Sequence, residues 1–80
     1  MAIDVKLYAT FRKFAPPGIG LGESFKLDLE NKSILDVIEF LKIPIEKGAI
    51  VMVNGIRITN FNHVLIENDL LVIFPVLGGG

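Results

Sequence analysis

The residues best suited to chemistry in this sequence are the three glycines that end it, Gly78, Gly79 and Gly80. Glycine has no Cβ, so a glycine tail can pass in extended form through a channel too narrow for side chains. It also leaves a terminal carboxylate sterically open to attack. A frayed terminus or a cloning remnant without function is the alternative interpretation. If the protein takes part in covalent chemistry, we predict that the carboxylate of Gly80 is the reacting group.

Side chains that commonly catalyse reactions are scarce. There is no cysteine and only one histidine, His63, so thiol chemistry and cysteine-based metal sites are excluded and we predict no metal site. His63 and Arg57 are expected at the surface, and Ser33 is expected to cap a helix. The glycines of residues 18–22 resemble part of a phosphate-binding loop, but a predicted strand follows them, which favours a plain hairpin loop. We therefore expect a protein that is not itself an enzyme.

Composition limits the classes of partner. The chain has 80 residues, enough for one domain; 51% of them are apolar and the net charge is −1. This balance, with scattered lysines and arginines, argues against a nucleic-acid partner. The longest apolar run, residues 70–77, is far shorter than the ~20 residues of a membrane-spanning helix. No signal peptide is visible at the N-terminus. We expect a cytoplasmic protein that binds neither nucleic acid nor membranes.

Strand signals occur in both halves of the chain. Apolar and polar residues alternate over residues 3–7 and 25–29. This alternation predicts two strands that form a hairpin, with one face of the hairpin exposed to solvent. Asn54-Gly55 is typical of a type I′ turn and predicts a second hairpin. Residues 70–74 are apolar on both faces, as in a central strand beside the first, and Pro75 should end that strand. The segment before it is expected to be irregular, with at most one short helical turn.

One helix is predicted over residues 33–42. Ser33 is a suitable N-cap and Asp36 follows at the spacing of a capping box, while Pro44 should end the helix. Its apolar face comprises Ile34, Val37, Ile38 and Leu41. A mixed sheet packed on one main helix gives an α+β fold, specifically the ubiquitin-like β-grasp. We expect residues 1–75 to form this domain and residues 76–80 to form a flexible tail.

Arg12 and Lys13 lie beside Phe11 and Phe14, just after the first strand. Solvated cations next to a packed phenylalanine are one interpretation. A contact patch for a protein partner is the other, because aromatic residues and arginine are enriched at interfaces.

The order of these motifs resembles the MoaD/ThiS family of ubiquitin-like sulfur carriers. The resemblance rests on "VKLYATFRKFA" at residues 5–15, "VNG" at 53–55 and "HVLIENDLLVIFPVLGGG" at 63–80. Members typically end in a segment such as F-P-P-V-x-G-G, after a D-G-D turn. Here Val76 replaces the second proline, and the turn reads Glu67-Asn68-Asp69. The closest likeness is to the MoaD-type small subunit of molybdopterin synthase.

The resemblance implies a chemistry for the tail. An E1-like adenylyltransferase of the MoeB or ThiF type would use ATP to form an acyl-adenylate on the carboxylate of Gly80. Gly79, which has no side chain, would help to keep that carboxylate accessible. A sulfur donor protein would then displace AMP and leave a C-terminal thiocarboxylate. The carrier itself would bind no cofactor. The acceptor would be the larger molybdopterin synthase subunit, which uses the sulfur for the molybdenum cofactor.

Three alternatives to the MoaD branch stay open. A ThiS-like carrier would deliver sulfur to thiazole synthase for thiamine, and a protein modifier would form isopeptide bonds through Gly80. A β-grasp interaction module with an inert tail is the third. For a carrier, the predicted partner-binding residues adjoin the tail and include one arginine; they are Arg12, Phe74, Pro75, Val76, Leu77 and Gly78.

Overall fold

Five strands form one mixed sheet in a computed structural model that describes residues 1–76. Leu77 to Gly80 lie outside the described residues. In chain order the elements are β1 (Ala2–Leu7), a 3-10 helix (Ala9–Phe14), β2 (Phe25–Asp28), α1 (Ile34–Leu41), β3 (Ala49–Val53), β4 (Ile56–Ile58) and β5 (Leu70–Pro75). The sheet order is β2-β1-β5-β3-β4. This is the predicted α+β, ubiquitin-like β-grasp arrangement.

The last strand lies at the centre of the sheet, as its apolar sequence predicted. β5 runs parallel to β1, with Val5 opposite Leu71, and antiparallel to β3, with Val51 opposite Ile73. These four side chains are at most 1% exposed. One face of the sheet and the helix enclose the core, which consists of Ile3, Val5, Leu7, Phe11, Phe25, Ile34, Val37, Ile38, Ile43, Val51, Val53, Leu65, Leu71 and Ile73.

The helix is fixed at both ends. The Ser33 hydroxyl accepts a hydrogen bond from the backbone N–H of Asp36, whose carboxylate accepts one from the N–H of Ser33, so the predicted capping box is present. Ile38 on the predicted apolar face is buried, and Leu41 is partly buried against the core. The helix ends before Pro44 because Lys42 takes a left-handed conformation with φ of 60°.

The β3–β4 hairpin has the predicted tight turn, since Asn54 and Gly55 both have positive φ, of 53° and 83°. Side-chain hydrogen bonds tie this turn to the start of β5. The Asn54 amide donates to the Asp69 carboxylate at 2.8 Å and accepts from the N–H of Leu70 at 2.8 Å. Asp69 also accepts from the N–H of Ile66, so this nearly buried carboxylate has two donors.

The segment between β4 and β5 is irregular, as expected, and contains no helical turn. It crosses the N-terminus of α1, where Ser33 and Val64 form an isolated bridge and Leu65 enters the core. Asn68 takes positive φ, of 69°, in the turn before β5. Among residues 1–76, no helix has the length and apolar character needed to cross a membrane.

Candidate tail-exit site

The described chain ends at the exposed Val76, directly beyond the central strand β5. The ring of Phe74, near the end of β5, stacks on Tyr8, with ring centroids 4.9 Å apart and planes inclined by 15°. Tyr8 follows β1, and its N–H donates to the carbonyl of Ile73 at 3.2 Å. Two neighbouring strands therefore hold the aromatic pair at the point from which the tail departs.

The 3-10 helix braces this end of the sheet and was not foreseen from the sequence. Phe11 is only 5% exposed and anchors the helix in the core, with Phe14 at its edge. The helix begins at Ala9, whose φ of 53° turns the chain sharply after Tyr8. The phenylalanines three residues apart were the available signal, since residues at i and i+3 share a side of a 3-10 helix.

An apolar groove lies on one side of the chain's exit. It has a volume of about 410 Å³ and is lined by Ala9, Ile50, Phe74, Pro75 and Val76. We call it the tail-exit groove. Ile50 lies directly opposite Phe74 across β3 and β5, so both side chains are on the sheet face that α1 does not cover. The predicted residues Phe74, Pro75 and Val76 are thus brought together, with Ile50 and Ala9 as additions.

On the other side of the chain's exit, Gly48 allows Val76 to pass close to the backbone. Its φ is +95°, and a Cβ placed on it would lie 3.0 Å from a methyl carbon of Val76. A side chain here would be strained by the backbone conformation and would also press on Val76. Gly48 therefore leaves room for Val76, the last described residue, which lies between the tail-exit groove and a second groove that includes Pro44 and Lys47.

The exposed cations near the exit are Arg12 and Lys13, in the last turn of the 3-10 helix, and Lys47. Lys13 lies over the ring of Phe14, 5.5 Å from its centroid. Arg12 faces a small depression beside the loop at Gly20 and Glu23, and does not line the tail-exit groove. If Arg12 contacts a partner, that partner must extend around the 3-10 helix.

The remaining predicted site residues, Leu77, Gly78, Gly79 and Gly80, lie outside the described residues. Their roles and the domain boundary after residue 75 stay predictions. His63 and Arg57 are exposed, as expected. Within residues 1–76, no group of histidine and acidic side chains is arranged to hold a metal ion.

The architecture and the exit site can be compared with known proteins. The model of the ThiS family matches residues 5–80, nearly the whole chain. The chain belongs to the ThiS family. This confirms the resemblance carried by the hairpin and the terminal segment. A comparison with curated protein sequences found no significant match.

Solved structures similar to this ThiS-family chain share its fold. Small archaeal modifier protein 1 (SAMP1) from Haloferax volcanii is 19% identical with a TM-score of 0.70, and the match covers 100% of each chain. A protein provisionally assigned as molybdopterin converting factor subunit 1, from Pyrococcus furiosus, is 23% identical with a TM-score of 0.71, covering 95% of this chain and 98% of that one.

A third match is a complex of subunits 1 and 2 of the molybdopterin-converting factor from Helicobacter pylori. It is 16% identical with a TM-score of 0.64, and covers 100% of each chain. In this complex, a protein with the same fold as the present chain is bound to a second subunit.

Proposed function

We propose that this protein is a sulfur carrier whose reactive group is the C-terminal carboxylate of Gly80. The observation that carries the proposal is the match to the ThiS family over residues 5–80, which includes the glycine tail. The structure is compatible with that role because the central strand ends beside an apolar groove at Phe74, Pro75 and Val76. A partner protein can bind this end of the sheet while its active site binds the residues that follow Val76.

The chemistry takes place in two steps on the partner enzyme. A carboxylate is a poor electrophile because its negative charge is delocalised. An oxygen of the Gly80 carboxylate attacks the α-phosphorus of ATP, pyrophosphate leaves, and an acyl-adenylate forms. Sulfur at the oxidation level of sulfide, supplied by a donor protein, then attacks the carbonyl carbon and expels AMP. The product is a thiocarboxylate on Gly80.

In this proposal the carrier provides no catalytic side chain and no bound cofactor. An E1-like adenylyltransferase binds ATP, and an acceptor subunit takes the sulfur. We assign the acceptor to molybdopterin synthesis, because the fold matches two proteins described as parts of molybdopterin converting factor. Thiazole synthesis for thiamine uses the same carrier chemistry and is distinguished by its acceptor.

A second candidate function is protein modification. The fold also matches SAMP1, which is described as a small archaeal modifier protein. In that case a lysine amine of a target would attack the carbonyl carbon of the Gly80 adenylate and expel AMP, or attack a thioester derived from it and expel the thiol, and an isopeptide bond would form.

The proposal is tested by pyrophosphate exchange into ATP, catalysed by an E1-like enzyme with the full chain as substrate. We expect exchange with the wild type and none when Gly80 is deleted, because the carboxylate then lies one residue short of the active site. Equal exchange with both chains would contradict the proposal.

Two further experiments distinguish the acceptors. Supplying the thiocarboxylate form to a molybdopterin synthase large subunit or to thiazole synthase identifies the enzyme that takes the sulfur. Lysine-linked conjugates in a lysate would identify a protein modifier.

A further inference from the structure

The β4 edge of the sheet exposes an apolar surface at the end of the molecule opposite the tail exit. The residues Ile56, Val64 and Ile66 are 67%, 53% and 64% exposed. They line one groove of about 310 Å³, together with Ile58 and His63, between β4 and the segment that precedes β5. These three exposed aliphatic residues lie around one groove and are not scattered singly over the surface, which is the arrangement expected of a binding surface.

The backbone of β4 can accept another strand. β4 pairs with β3 on one side only, because it is the last strand of the sheet order. Val53 and Ile56 flank the two-residue turn and form a hydrogen-bonded pair, so the next pair, Met52 and Arg57, does not exchange hydrogen bonds. The N–H and C=O of Arg57 therefore point away from β3. Within residues 1–76 they have no hydrogen-bond partner.

The side chains give this edge a sequence preference. Arg57 lies opposite Met52 and projects on the sheet face that α1 does not cover, where it is exposed and forms no ion pair with any described residue. The flanking Ile56 and Ile58 project on the other face, toward the groove. A strand paired with β4 would place one side chain beside Arg57 and its two neighbours in the groove beside the isoleucines and Val64.

We propose that the β4 edge binds an extended segment of another protein with the pattern aliphatic–acidic–aliphatic. The acidic side chain pairs with Arg57, and the two aliphatic side chains enter the groove lined by Ile56, Val64 and Ile66. The backbone of the acidic residue exchanges two hydrogen bonds with Arg57. Strand addition of this kind derives affinity from the main chain and specificity from alternate side chains.

A second copy of the chain is a poorer occupant of the same edge. Symmetric antiparallel pairing through the free backbone groups would place Arg57 of one copy opposite Arg57 of the other. Like charges directly opposite on paired strands are destabilising. The charge at the centre of the edge therefore favours an acidic partner over self-association.

The β4 edge and the tail exit can be occupied at the same time. Along β3, the residue paired with Pro75 is Ala49 and the residue paired with Arg57 is Met52. Three residues of a strand separate these positions by about 10 Å, and β4 is also displaced sideways from β5 by the width of β3. A partner held at β4 therefore leaves the tail-exit groove accessible, and its binding does not depend on the chemistry proposed for Gly80.

The test uses the full ¹⁵N-labelled chain and blocked nonapeptides with a central Val-Glu-Val or Val-Lys-Val flanked by serine and threonine, titrated to millimolar concentration by NMR. We expect the amides of residues 56–58 and 63–66 to shift, and the Val-Glu-Val peptide to bind about threefold to tenfold more tightly. Arg57→Glu should reverse this preference. The matched control is Lys6→Glu, which alters the same sheet face beside Val72 and should leave the preference unchanged.

A Val-Glu-Val peptide N-methylated at the glutamate should lose binding, because it cannot donate to the carbonyl of Arg57. Any one of the following results overturns the proposal: no shift at millimolar peptide, shifts confined to other surfaces, equal binding of the N-methylated peptide, or an unchanged preference in Arg57→Glu. If Arg57→Glu fails to fold, Arg57→Gln serves instead and should abolish the preference. Concentration-dependent shifts of residues 56–58 without peptide would show self-association and would also overturn it.

Discussion

At the scale of single residues, the capping box of α1 links helix stability to pH. The backbone N–H of Ser33 donates to the Asp36 carboxylate, and this hydrogen bond, with one from the Ser33 hydroxyl, lowers the pKa of Asp36 below its ordinary value of 3.8. A folded-state pKa below the unfolded one means that ionisation favours folding. The stabilisation is complete above about pH 5 and is lost as pH falls through the folded-state pKa.

We therefore predict that Asp36→Asn is less stable than the wild type at neutral pH and that the difference shrinks below about pH 4. The measurement is the free energy of unfolding by urea at several pH values. Glu39→Gln is the control, since it also removes an exposed carboxylate from α1 but lies outside the capping box. A stability difference between Asp36→Asn and the wild type that is constant across this pH range would contradict the prediction.

Asp69 provides a second test at the same scale. Asp69 is 4% exposed, and its carboxylate accepts hydrogen bonds from the Asn54 amide and the N–H of Ile66. Asp69→Ala should lower the free energy of unfolding by about 1–3 kcal/mol, because it leaves partly buried donors without an acceptor. Asn68→Gly, at a residue whose φ is 69°, should cost almost nothing in comparison. Equal losses in the two variants would mean that the turn, not the network, determines stability.

At the scale of elements, the packing of α1 can be measured directly. Ile38 is 1% exposed and faces the sheet. Ile38→Ala should lower the free energy of unfolding by about 2–5 kcal/mol, since it removes buried carbon atoms and leaves a cavity. Glu39→Ala, on the exposed side of the same helix, should change it by less than about 0.5 kcal/mol. A loss below that value for Ile38→Ala would mean that the helix packs through another face.

The elements also show which parts of the fold local sequence patterns can predict. The strands, the helix and the Asn54-Gly55 turn were predictable because each depends on periodicity or turn chemistry within a few residues. The 3-10 helix was missed, because the spacing of Phe11 and Phe14 by itself does not reveal that Phe11 is buried against the sheet. Of the residues that line the tail-exit groove, only those at the end of β5 were predictable from the sequence. Ala9 and Ile50 join Phe74 through pairing across strands far apart in sequence, which no local pattern shows.

At the scale of the whole molecule, the exit end of the sheet should form the main docking surface for the activating enzyme. Leu77→Asp should weaken binding at least tenfold, because hot spots are few and centre on large apolar side chains. Arg12→Glu should also weaken binding if the partner extends around the 3-10 helix. Isothermal titration with the E1-like enzyme measures both, and circular dichroism checks folding.

Lys26→Glu is the matched control for that surface, since it reverses an exposed charge on β2, where Lys26 pairs with Asp4 at 3.0 Å. It should leave the affinity for the activating enzyme unchanged. Unchanged affinity for both Leu77→Asp and Arg12→Glu, with folding intact, would place the docking surface elsewhere on the molecule.

The central claim is that Gly80 carries sulfur, and intact mass spectrometry of the full chain tests it most directly. After incubation with ATP, an E1-like adenylyltransferase and a sulfur source, the wild type should gain the mass difference between one sulfur and one oxygen, located at its C-terminus. Gly78→Ala should react to a reduced extent, and a chain extended by one residue beyond Gly80 should not react. Sulfur on the extended chain in the absence of a trimming protease, or on an internal residue of the wild type, would contradict the claim.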